Sequence, residues 1–169
     1  ASSLAFLEGY RSGVERKPLL TGQTPATLYT HARSDGPLVV VAHGFAGSRQ
    51  MMEAYALTLA RAGYRVVAFD FEGHGRNPVP MQGDVTAIDG TTQRLVEETN
   101  RVVAMALSET GWIGPVALIG HSMASDIIVR AALANPRIGP LIAISMFSQA
   151  VDAVHPPDLL IISGQWETR

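Results

Sequence analysis

Val116-Ala117-Leu118-Ile119-Gly120-His121-Ser122-Met123-Ala124 is the stretch that decides the fold. Its four leading apolar residues read as a strand covered on both faces. From about Ser122 the pattern turns helical and stops at Asn135-Pro136, because the residue before a proline is driven out of the α region. A serine in so tight a strand-to-helix turn projects its hydroxyl above the sheet edge. Small residues are needed on either side, since the strand and helix backbones nearly touch there. Gly120 meets that need directly; Ala124, the second small position, departs from glycine by one methyl group. The helix start behind Ser122 offers a backbone N–H, that of Met123, to an oxyanion formed on the serine's target. A small-x-Ser-x-small pentapeptide alone is equally a helix N-cap, and it is the strand-turn-helix setting that favours a nucleophile.

Working outward, the same alternation repeats. Apolar, β-rich runs lie at Thr27–His31, Leu38–Ala42, Arg65–Asp70, Val116–Gly120, Leu141–Ser145 and Leu159–Ser163. Helical patterns lie between them. One follows Ser48, read as its N-cap, carries Met52, Tyr55, Ala56 and Leu59 at helical spacing, and ends at Gly63. A second runs from about Thr92 to Thr110 with Leu95, Val96, Thr99, Val102 and Val103 on one face, and ends at Gly111. Strand and helix in alternation predict an α/β fold, a mostly parallel, doubly wound sheet with helices on both faces. Nothing marks an internal boundary, so residues 1–169 read as a single domain, and Pro78–Gly90 as a surface loop before the long helix.

Two further strand ends carry distinctive residues. His43-Gly44-Phe45 follows LVVVA, and the backbone N–H of Phe45 is the natural second donor to an oxyanion above Ser122. Asp70-Phe71-Glu72-Gly73-His74-Gly75-Arg76-Asn77 follows RVVAF, with Gly73 and Gly75 permitting the bends. His74 reads as a packed, hydrogen-bonded loop histidine rather than a catalyst.

Composition narrows the partners. Thirteen Lys and Arg against fifteen Asp and Glu give a net charge of −2, which offers no electrostatic footprint for nucleic acid. There is no cysteine, hence no disulfide scaffold, thiol nucleophile or thiolate metal site. No apolar run approaches the roughly 18 residues of a membrane helix. HExxH, GxGxxG and GxxxxGK[ST] are all missing, so neither metal nor cofactor is expected. The chain opens at Ala1 without an initiator methionine, which tilts the reading toward an exported or processed protein while leaving the compartment open.

HGFAGS, FDFEGHGRN and GHSMA, in that order and each at a strand end, resemble the α/β-hydrolase superfamily and, within it, the bacterial serine esterase and lipase branch. The resemblance spans roughly Leu38 to the C-terminus. It implies that Ser122 is the nucleophile and that Phe45 and Met123 supply the oxyanion hole through their backbone N–H groups. The third motif of the family usually reads Asp-x-Arg-Gly-His-Gly-x-Ser; here Glu72 takes the Arg position and Asn77 the Ser position. After the nucleophile the resemblance implies an acid and then a histidine. Glu167, in Gly164-Gln165-Trp166-Glu167, is the first choice of acid and Asp152 the second.

No histidine stands where the base belongs. His155 precedes the last strand, His121 adjoins the nucleophile, and His31 and His43 belong to earlier strands. The expectation is that the domain is incomplete here, with its last strand and histidine loop lying in roughly 50–80 residues beyond Arg169. The short connection from LIAISMF to the next strand leaves no room for a large inserted cap, which favours modest acyl esters as substrates. The leading reading is a serine hydrolase of carboxylic esters acting through an acyl-enzyme. The alternative is a non-catalytic binding or scaffold module on the same fold. Thioesterase, lactonase and peptidase chemistry would use the same groups.

Overall fold

In the computed structural model, residues 8–83, 91–145 and 158–164 are described. Seven strands form one sheet: β1 (Val14–Thr21), β2 (Thr24–His31), β3 (Leu38–Ala42), β4 (Arg65–Phe69), β5 (Val116–His121), β6 (Ile138–Ile144) and β7 (Leu159–Ile162). Three helices connect them: α1 (Glu53–Arg61), α2 (Gln93–Thr110) and α3 (Ala124–Ala134). The spatial order is β1-β2-β4-β3-β5-β6-β7. β1 and β2 form a hairpin, β2 runs antiparallel to β4, and every later pairing is parallel. The mostly parallel α/β architecture expected from the alternation is therefore the architecture found.

The centre of the sheet explains the solid apolar runs. All five residues of β3 are buried, and Val40 pairs with Val67 of β4 and with Leu118 of β5. Alternate side chains enter two separate cores. Leu38, Val40, Ala42, Val67, Phe69 and Leu118 face α2 and α3. Val39, Val41, Val66, Ala68 and Ile119 face α1, which contributes Ala56, Leu57 and Ala60. Each such fully buried aliphatic side chain is worth about 1.5–3 kcal/mol of transfer free energy, so a strand buried on both faces has no position to spare for a polar residue.

Three expectations need correction. β1 was not among the expected strands. Its sequence VERKPLLT carries no apolar run because it is an exposed edge, held by a two-residue turn in which Gly22 adopts φ +60°. β6 begins at Ile138, three residues earlier than the apolar run, where Ile138 pairs with Val116 across a register shift. α1 begins at Glu53, not after Ser48. Met52 occupies the N-cap position and no side chain caps the helix. The cause is Arg49, whose N–H donates to Asp70 Oδ1 at 2.7 Å and whose guanidinium pairs with the same carboxylate. That pull holds residues 49–52 as turns. The two expected glycine stops are both found: Gly63 at φ +99° follows α1, and Gly111 at φ +64° ends α2 by donating to the carbonyl of Leu107.

Candidate functional site

The turn between β5 and α3 forces its residues into one arrangement. Ser122 sits at φ +50°, in the left-handed region that a side chain rarely enters. Both of its backbone groups are tied: its N–H donates to Ile144 of β6 at 2.9 Å, and its carbonyl accepts from the Ser125 N–H at 2.8 Å and the Ser125 hydroxyl at 2.6 Å. Gly120 is required by contact rather than by φ. A Cβ there would lie 2.5 Å from the Ala124 carbonyl oxygen, so the strand and helix backbones do nearly touch, as the pentapeptide implied.

The loop after β3 closes on this turn. A Cβ on Gly44 would lie 3.1 Å from Ser122 Cβ and 3.0 Å from His121 Nδ1. Residues 44–47 form a hydrogen-bonded turn, Gly47 N–H to the Gly44 carbonyl at 3.0 Å, with Ala46 at φ +55°. Ala46 and Ser122, two of the three described non-glycine residues in the left-handed region, thus lie on the two segments that meet at Gly44. Among the described residues, neither the Phe45 N–H nor the Met123 N–H has an acceptor, and Ser122 is partly exposed. The structure thus brings Ser122, Phe45 and Met123 to one place. Glu167, Asp152 and His155 lie outside the described residues.

His43 is 1% exposed and unsuited to proton transfer. Its Nε2 accepts the Phe71 N–H at 3.1 Å, which fixes the proton on Nδ1, and Nδ1 donates to the Gly44 carbonyl at 2.8 Å. Burial, the largest effect, holds this imidazole below the ordinary histidine pKa; the nearby His74 acts in the same direction. A neutral ring with both nitrogens engaged braces Gly44 and cannot serve as a general base. His74 is buried as expected, its Nδ1 2.9 Å from the Glu72 carbonyl.

The loop after β4 is held by charge. Asp70, fully buried, accepts from the N–H groups of Arg49 and Arg76 and pairs with the Arg49 guanidinium. Gly75 packs directly on that carboxylate, leaving no room for a side chain. Glu72, which replaces the arginine usual in the resembling motif, pairs with Arg94 of α2 at 2.6 Å, and Arg94 also donates to Gln82 at 2.9 Å. Asn77, at the usual serine position, donates to the Asp70 carbonyl and to Glu98. Glu98 is the residue the sequence reading missed. It is buried on α2 and accepts from Thr24, from the Glu72 N–H and from Asn77; burial, the dominant effect, raises its carboxyl pKa against those bonds. The available signal was a carboxylate three residues after Leu95 and four before Val102, on the helix face otherwise apolar. Among the described residues, no group of three or more His, Asp or Glu is placed to hold a metal ion, and no helix is long and apolar enough to cross a membrane.

Comparison with known proteins gives a consistent picture. The family described as serine aminopeptidase, S33, matches residues 34–166. Protein phosphatase methylesterase 1 of Mus musculus is 31% identical over 116 residues, covering 68% of this chain and 28% of its own length. The sn-1-specific diacylglycerol lipase ABHD11 of Danio rerio is 25% identical over 163 residues, covering 91% of this chain and 48% of its own. Among solved structures, the thioesterase domain from the curacin biosynthetic pathway superposes with a TM-score of 0.59 at 29% identity, over 78% of this chain and 44% of that one. The chain thus spans less than half the length of each of these three proteins.

Proposed function

Starting from a chain that belongs to the serine aminopeptidase S33 family of the α/β-hydrolase superfamily, we propose that the protein is a serine hydrolase of carboxylic esters working through an acyl-enzyme on Ser122. The observation that carries this reading is a strained Ser122 packed against Gly44, with the neighbouring backbone N–H groups of Phe45 and Met123 finding no acceptor among the described residues. A dead site has no physical need for that strain.

In the proposed mechanism the Ser122 hydroxyl attacks the ester carbonyl carbon and a histidine base takes its proton. The carbonyl oxygen becomes an oxyanion, held by the N–H groups of Phe45 and Met123 in a geometry set before substrate arrives. Collapse expels the alcohol, which receives the proton from the same histidine and leaves an acyl-Ser122 ester. Water then repeats the sequence and frees the acid. Glu167, with Asp152 as second choice, is the proposed carboxylate that orients the histidine. The domain is read as one α/β-hydrolase unit without a large cap, open to small acyl esters, and no step uses a metal or cofactor. The names of the relatives support hydrolysis of acyl compounds; the choice of ester over thioester or amide is our own.

Labelling by a fluorophosphonate, together with hydrolysis of p-nitrophenyl esters, tests this in the protein as its source makes it. Labelling is expected at Ser122, and Ser122→Ala is expected to abolish it and lower turnover by roughly 10⁴-fold or more. Failure of the wild-type protein to label or turn over would instead establish the binding or scaffold module.

A further inference from the structure

Five aromatic rings stand in series from the core of the sheet to its C-terminal rim. Phe69 and Phe71 meet at 4.6 Å between centroids and 71° between planes. Phe71 meets His43 at 5.2 Å and 73°. His43 meets His74 at 5.2 Å, and His74 meets Phe45 at 5.5 Å and 80°. The first four rings are buried; the fifth, Phe45, is 61% exposed. In the three edge-to-face contacts the positive rim of one ring meets the negative face of the next, while His43 and His74 are tilted at 55° to one another. Phe45 is therefore a held ring at the surface rather than a loose one. Its prop, His74, is fixed in turn by its own bond to the Glu72 carbonyl. The residue before Phe45 is Gly44, whose backbone packs on Ser122 Cβ.

We propose that Phe45 determines specificity. Its exposed ring receives the apolar substituent of the ester that Ser122 attacks, as the sixth member of this series, and His74 is the positioning residue that holds the ring. The favoured substrates are esters bearing an alkyl or aryl group of several carbons, in preference to acetyl or polar groups. An exposed aromatic surface beside a reacting serine gains by being covered, and its fixed orientation means that little side-chain freedom is lost when substrate covers it. The inference rests on the reading of Ser122 as nucleophile.

The test is a pair of substrate series on the protein as its source makes it: p-nitrophenyl acetate, butyrate and hexanoate for the acyl side, and methyl and benzyl acetate for the alcohol side. Phe45→Ala, at an exposed position that leaves the core untouched, is expected to lower the hexanoate-to-acetate ratio of kcat/KM about fivefold, the size of one edge-on contact. If the benzyl-to-methyl ratio falls in its place, the ring receives the alcohol group. His74→Ala should move the same ratio in the same direction and His74→Phe should restore it, a rescue that a merely structural histidine would not give. Equal loss on short and long esters, or no change in either ratio, overturns the proposal. Fluorophosphonate labelling of wild-type Ser122 separates the two failures. Labelled protein with unmoved ratios sinks this inference alone, whereas neither labelling nor cleavage sinks the ester-hydrolase reading with it.

Discussion

Two loops at the same rim of the sheet are held in place by opposite means. The Ser122 turn and the Gly44 loop beside it are fixed by steric contact: backbone against backbone at Gly120, backbone against side chain at Gly44, and φ +50° at Ser122 itself. The 70–77 loop is fixed by buried charge, with Asp70 on Arg49, Glu72 on Arg94, and Glu98 gathering three donors. Contact geometry positions atoms to within tenths of an ångström and tolerates no added volume. Charge networks tolerate displacement but not the loss of a partner, since one unpaired buried charge costs more than the pair ever contributed. On the proposed mechanism the reacting atoms belong to the sterically fixed loop, and the charged loop supports it.

The largest effect should come from adding volume to the first loop. Gly120→Val drives a side chain into the Ala124 carbonyl and should cost about 3 kcal/mol or more in urea unfolding, with fluorophosphonate labelling at Ser122 lost. Removing a partner from the second loop comes next. Arg49→Met strands the Asp70 carboxylate at 0% exposure and should cost about 3 kcal/mol, yet Ser122 should still label, which is the sharpest separation of the two loops. A smaller effect depends on pH. The His43 pKa is depressed in the folded state, so the unfolded chain takes up a proton first as pH falls below 6.5. The contribution of neutral His43 is complete above pH 6.5 and erodes as pH falls toward the folded pKa. Denaturation midpoints at pH 7.5 and 5.5 should reveal that slope, and His43→Asn should flatten it. The smallest effect belongs to the exposed Lys17–Glu109 pair at 2.9 Å, where Lys17→Met should change stability by less than about 0.5 kcal/mol. A larger change there would mean that charge outside the 70–77 loop also matters.

The two loops also differ in how legible they are in the sequence. Steric requirements leave local marks: Gly120, Ser122 and Gly44 each follow an apolar strand, so the rim position of Ser122, Phe45 and Met123 could be read directly. The central strands were equally readable, because burial on both faces produces the runs LVVVA, RVVAF and VALI. Charge pairing leaves no such mark. Arg49 and Asp70 are 21 residues apart and Arg94 and Glu72 are 22, spacings that carry no periodic signal. Ser48 looked like a cap because its residue type is right, but the ion pair beside it moved the helix start to Glu53. β1 escaped for the opposite reason: its pairing with β2 is nearly all backbone, and its outward side chains obey no burial pattern.

The position of β3 has a consequence for how the chain reaches this state. It lies between β4 and β5, with Val39 beside Val66 on one flank and Ala117 on the other. On a chain made from its N-terminus, β3 can find its first partner early, but its second is synthesised only after the whole of α2. Until then a strand buried along its whole length has one unpaired edge, and the loop that α2 must close carries a conformational entropy cost before the pairing can offset it. Folding should accordingly be limited by the docking of β5, and chains halted before residue 116 should be prone to associate through β3.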